Sequence, residues 1–195
     1  MNTPFELYGK FYAFDSTTID LCLNLFWWAK FRSTKSGIKA HTLFDVVTQI
    51  PTYIHITNAN VHDTQAMDQI PYEPNAYYIF DRGYFDLGRL YKINIINSYF
   101  IIRQRGRLQY EIFDGEALIE DDDGVISDQI IELTGYQFRK KYPGKLRRIV
   151  YYACTRPLVN RNKKCSDFGK KNYSGNGNSL CSNFGNNSAV TVVLN

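Results

Sequence analysis

Two aspartates stand where an apolar run ends. Phe11-Tyr12-Ala13-Phe14 leads into Asp15-Ser16-Thr17-Thr18, and Tyr77-Tyr78-Ile79-Phe80 leads into Asp81-Arg82-Gly83-Tyr84. In an open α/β sheet, chemistry gathers at the carboxyl ends of strands. Two carboxylates there make a hard-oxygen ligand set suited to Mg²⁺, which takes one or two protein carboxylates and keeps room for water and phosphate. A pair of such ions about 3.5–4 Å apart can activate water and stabilise the leaving oxygen of a phosphodiester. The competing reading gives each aspartate only the capping of the turn that follows its strand.

Cations lie near both aspartates in sequence. Lys30, Arg32, Lys35 and Lys39 form a run free of acids, and Arg103, Arg105 and Arg107 follow the apolar segment Tyr99-Phe100-Ile101-Ile102. Either strip could contact phosphates, the arginines by bidentate pairing; either could equally be a solvated strand exit. Trp27 and Trp28 admit stacking on a nucleic-acid base, but two adjacent tryptophans are expected to pack within the fold. Asp63 is expected to cap a helical turn through Thr64-Gln65-Ala66-Met67.

These residues require particular elements. The runs before Asp15 and Asp81 read as buried strands, as does Tyr99–Ile102. Residues 38–47 and 52–58 read as two β-rich runs, with Gln49-Ile50-Pro51 as the turn, because proline is excluded from a central ladder. Phe85 to Ile96 spaces its apolar residues as a short helix opened by Asp86. Residues 108–152 alternate as short strands broken at Asp114-Gly115, Asp123-Gly124 and Pro143-Gly144.

Phe14-Asp15-Ser16-Thr17-Thr18-Ile19 and Phe80-Asp81-Arg82-Gly83-Tyr84 resemble the first and second catalytic aspartates of DDE transposases, most closely the insertion sequence four family. Trp28-Ala29-Lys30-Phe31-Arg32, Gly37 to Asp45 and Val61-His62-Asp63 resemble that family's intervening segments, and the likeness runs from about Phe11 to about Tyr152. The resemblance implies a ribonuclease H-like mixed α/β sheet with flanking helices and a strand-rich insertion. It implies DNA strand cleavage and transfer with two Mg²⁺ or Mn²⁺ ions held by Asp15, Asp81 and a late glutamate. DNA is the implied partner, transposon ends and target alike, and a homodimer of the full-length protein is allowed. The domains expected are a catalytic core at 1–107, the insertion at 108–152, and a tail outside the family fold at 153–195.

The third acid is where this chain departs from the pattern. After Glu132 there is no glutamate, and Asp167 is the single acid. Asp20, Asp45 and Asp86 are the candidate substitutes. The expectation is a truncated or frameshifted fragment, inactive alone, or else a non-catalytic nucleic-acid-binding remnant that uses its basic segments. Charge fits either: residues 1–132 carry 11 Lys and Arg against 18 Asp and Glu, whereas residues 133–195 carry 12 against 1. A basic segment attracts phosphate. Residues 172–188 are rich in Asn, Ser and Gly, a composition too poor in apolar surface to offset ordering entropy, so disorder is expected there. Cys22, Cys154, Cys165 and Cys181 have no Cys-x-x-Cys spacing, which leaves zinc and redox roles unsupported. No apolar run reaches the roughly 18 residues of a membrane span, and no signal-peptide pattern opens the chain. A cytoplasmic, nucleoid-associated protein is the expectation.

Overall fold

Alternation of apolar side chains builds the centre of the molecule. The computed structural model describes residues 9–22, 24–32, 35–106, 108–116, 125–154 and 187–194. In β1 (Lys10–Leu21) Tyr12 and Phe14 are buried, in β5 (Ala76–Phe80) Ala76, Tyr78 and Phe80, and in β6 (Tyr99–Arg103) Phe100 and Ile102. Every second residue therefore faces one core. Against that face packs α2 (Leu87–Ile95), which buries Leu87, Leu90 and Ile93 at a three-residue spacing. Each such side chain contributes about 1.5–3 kcal/mol by leaving water. Asp86 caps α2 as expected, accepting from the Arg89 amide at 3.1 Å. The helix ends at Asn97, whose φ of 60° is the left-handed stop that asparagine tolerates.

The described strands form one ten-stranded sheet in the order β2-β3-β1-β5-β6-β10-β9-β8-β7, with β4 on the same edge of β3 as β2. Here β2 is Lys30–Arg32, β3 Lys35–Asp45, β4 Ile50–Asn58, β7 Tyr110–Glu116, β8 Val125–Leu133, β9 Lys145–Cys154 and β10 Asn187–Leu194. β1, β5 and β6 run parallel, β3 is antiparallel to β1, and β4, antiparallel to β3, runs in the direction of β1 again. This is the mixed α/β sheet expected of a ribonuclease H-like fold. Two short helices, α1 (Asp63–Ala66) and α3 (Tyr136–Lys141), complete the described elements apart from 3₁₀ turns.

Three local expectations are corrected. Pro51 lies inside β4 rather than in the turn, and the chain reverses at Val46–Gln49. β4 pairs with β3 alone, so it is an edge strand whose proline removes no needed donor. Asp114-Gly115 lies within β7, paired with Ile130 and Gln129 just after a bulge at Phe113, and is not a break between strands. A Cβ on Gly115 would meet the Asp128 carbonyl oxygen at 2.5 Å, and its φ of 115° is open to glycine. At α1 the cap is His62, whose Nδ1 accepts from the Thr64 amide at 3.3 Å; Asp63 is the first helical residue.

The largest departure concerns the C-terminal segment. Ala153 and Cys154 continue β9, and Asn187–Leu194 enters the sheet as β10, antiparallel to both β6 and β9. Val192 pairs with Arg103 on one side and Ile149 on the other. The remainder of the expected tail, 155–186 and Asn195, and the acidic run Glu120–Asp123 lie outside the described residues.

Candidate active site

The parallel register sets the site. Phe14 pairs with Phe80, and Phe80 with Ile102. Asp15, Asp81 and Arg103 are the next residue on each chain, so three adjacent strands deliver them at one level. Phe14, Phe80 and Ile102 are buried on the helix-covered face. One residue further on, alternation turns the two carboxylates and the guanidinium to the opposite, open face. Arg103 Nη2 donates to Asp81 Oδ1 at 3.1 Å, with both side chains about half exposed. An ion pair that open to water contributes 0–1 kcal/mol and exchanges readily for another partner. One oxygen of Asp15 is held locally, accepting from the Ser16 amide at 2.7 Å.

A second cluster lies behind Asp15 on the covered face. Asp63 Oδ1 accepts from Ser16 Oγ at 3.1 Å and from Lys39 Nζ at 3.0 Å, and the Lys39 ammonium also donates to the Val61 carbonyl. Lys39, read from sequence as a phosphate contact, is thus paired internally and mostly buried. Sequence reasoning missed this cluster. Its signal was the register of β1 with β3, which sets Thr18 beside Lys39 and cannot be read from either strand alone. Tyr84 is buried beneath the site, and burial pushes its phenol up to about 12, so the hydroxyl stays neutral.

The other predicted contacts divide by position. Arg105 is exposed on the loop after β6. Arg107 lies outside the described residues, and so do the side chains of Lys30, Arg32 and Lys35, although their backbone is placed in β2 and at the start of β3. None of the three substitute acids completes the pair. Asp45 holds the turn after β3, accepting from the Val47 and Thr48 amides, and the Thr48 amide, foremost, keeps its carboxyl below the usual range. Asp86 caps α2. Asp20 is five residues along β1 from Asp15, which alternation turns to the other face. Among the described residues no group of three His, Cys, Asp or Glu side chains converges to hold a metal. Two exposed carboxylates at one level nonetheless fit a single hard divalent ion that keeps part of its water shell.

Comparison with known proteins identifies a family. A profile of the Transposase DDE domain family matches residues 9–174, running past Tyr152. The chain is 33% identical over 138 residues to a protein named Putative transposase y4zB from Sinorhizobium fredii (strain NBRC 101917 / NGR234). That similarity covers 69% of this chain and 38% of the relative, so the chain spans about two fifths of the relative's length. No helix among the described residues is long and apolar enough to cross a membrane. With its two aspartates at neighbouring parallel strand ends and the family profile spanning most of its length, the chain belongs to the transposase DDE domain family.

Proposed function

We propose that this chain is the portion of an insertion sequence four-type DNA transposase that supplies two of the three metal-binding carboxylates, Asp15 and Asp81. One observation carries the reading: the Phe14–Phe80 register brings both aspartates to the same level of adjacent parallel strands. Asp15 and Asp81 would hold Mg²⁺ or Mn²⁺, and a bound divalent ion would supply charge for phosphodiester cleavage. Arg103 and Arg105, at the exit of the next strand, would meet the phosphates of DNA. In this reading residues 1–107 form the core, 108–152 the insertion, and the protein works at the nucleoid.

Alone, the chain is expected to be inactive. In-line displacement needs stabilisation of both the attacking and leaving oxygens, and two carboxylates hold a second ion weakly. Misplaced charge at a phosphoryl centre costs several kcal/mol of barrier, and about 4 kcal/mol is roughly a thousandfold in rate. Purified chain incubated with transposon-end DNA and Mg²⁺ or Mn²⁺ is therefore expected to leave it intact, while binding it in a salt-dependent way. Metal-dependent nicking that disappears in both Asp15→Ala and Asp81→Ala would overturn the inactivity and reveal a further acid at the site.

A further inference from the structure

The chain contains two tryptophans, and neither is packed away. Trp27 and Trp28 sit side by side in a 3₁₀ turn at Trp27–Ala29, with 75% and 56% of their surface exposed. Leu25 and Phe26 before them are exposed as well, and Phe26 meets Trp28 edge to face at 6.3 Å. Four consecutive large apolar side chains in water mark a surface that something covers. The hairpin that carries them overhangs the aspartates. β1 runs six residues beyond Asp15 to Leu21, which pairs with Ser36 of β3. At about 3.3 Å per residue the overhang is about 20 Å long.

Charge identifies the occupant. Between Asp20 and Asp45 the sequence has no acid, and β2, which bears Lys30 and Arg32, follows the tryptophans directly. Indole faces joined to an acid-free cationic stretch complement a polyanion with open π-faces better than they complement an apolar protein surface. In a duplex the faces of the bases are already stacked on their neighbours; unpaired bases are free. We propose that Trp27 and Trp28 form a stacking platform for unpaired DNA bases, in the connection that joins β1 to β3 beyond Asp15. This rests on the reading of the chain as a protein that acts on DNA.

Because both tryptophans belong to the platform, fluorescence of the full chain excited where only tryptophan absorbs reports on it alone. Oligo-dT is expected to quench the emission saturably, less so as salt rises, and duplex DNA of the same length to quench it less. Trp27→Ala and Trp28→Ala should each weaken binding of fluorescently labelled oligo-dT, followed by anisotropy, about fivefold or more, the lower end of one base–aromatic stack. Trp27→Phe and Trp28→Phe should retain part of that affinity, and circular dichroism should match the parent for every variant. Oligo-dT binding without quenching and unchanged in the alanine variants would overturn the platform, as would equal quenching by duplex. So would a blue shift on raising protein concentration without DNA, which would assign the patch to a second copy of the chain. These outcomes leave the Asp15–Asp81 reading standing; its own failure would appear as Mn²⁺ binding indifferent to Asp15→Asn and Asp81→Asn. Absence of any DNA binding would overturn both.

Discussion

Single residues here act through what surrounds them, and His41 shows the consequence most directly. It is fully buried on β3, with Nε2 at 2.9 Å from Thr57 Oγ1 and Nδ1 without a partner among the described residues. Phe14 lies against the ring, with His55 and the Lys39–Asp63 pair nearby. Burial, above all, holds the imidazole below its ordinary range; Asp63 opposes the shift, while Lys39 and His55 add to it. A base with a lowered folded pKa binds fewer protons folded than unfolded between the two values, so stability rises with pH across that window. The contribution is complete above about 6.5, the unfolded value, and is lost as pH falls below it. Thermal unfolding is expected to shift downward between pH 7.5 and pH 5, and His41→Gln should flatten that dependence. A profile unchanged by the substitution would assign the pH sensitivity to other groups.

At the scale of elements, β10 is the piece that joins the two halves of the sheet. It lies between β6, from the core, and β9, from the strand-rich part. As a central strand it uses its backbone groups on both sides, so a lost donor has no water to replace it. Val192→Pro is expected to destabilise the chain by about 3 kcal/mol or more, read from chemical denaturation. Arg105→Pro, in the exposed loop after β6, serves as the comparison. Equal, small effects of the two would show that residues 187–194 do not belong to the sheet. Composition alone could not reveal this strand, because a neighbouring Asn-, Ser- and Gly-rich stretch dominates any reading of the tail.

The whole molecule is lopsided. α1, α2 and the buried ends of β1, β5 and β6 share one core, whereas no described helix covers the opposite face. There Phe11, Tyr77 and Tyr99 stack in register across three strands, with centroids 4.6 and 4.8 Å apart. On β4, by the same alternation, Ile54 and Ile56 are 56% and 60% exposed. Exposed apolar surface on a sheet with an open edge favours self-association. The double variant Ile54→Lys, Ile56→Lys is expected to remain monomeric to higher concentration in light scattering and to bind less of an apolar dye. Its unfolding free energy should stay within about 0.5 kcal/mol of the parent, as exposed positions allow. Self-association unchanged by the two lysines would place the sticky surface elsewhere.

Local signals in the sequence were enough for the strands before Asp15 and Asp81, the helix opened by Asp86 and the ribonuclease H-like resemblance. The strands and the helix depend on neighbours within a turn or on a period of two, which the chain carries in itself, whereas the resemblance rests on the motifs around Asp15 and Asp81. The pairing of Phe14 with Phe80 was not local: contacts 66 residues apart are set by how strands order in the sheet. The same holds for the Arg103–Asp81 pair, for the capture of Lys39 by Asp63, and for β10, whose partners lie far back along the chain. Pro51 could be placed inside a strand only once β4 proved to be an edge. Exposure was equally beyond local reading. Trp27 and Trp28 were expected to pack because large aromatic side chains gain most by leaving water, yet burial requires another element above them. Among the described residues the tertiary structure puts none there.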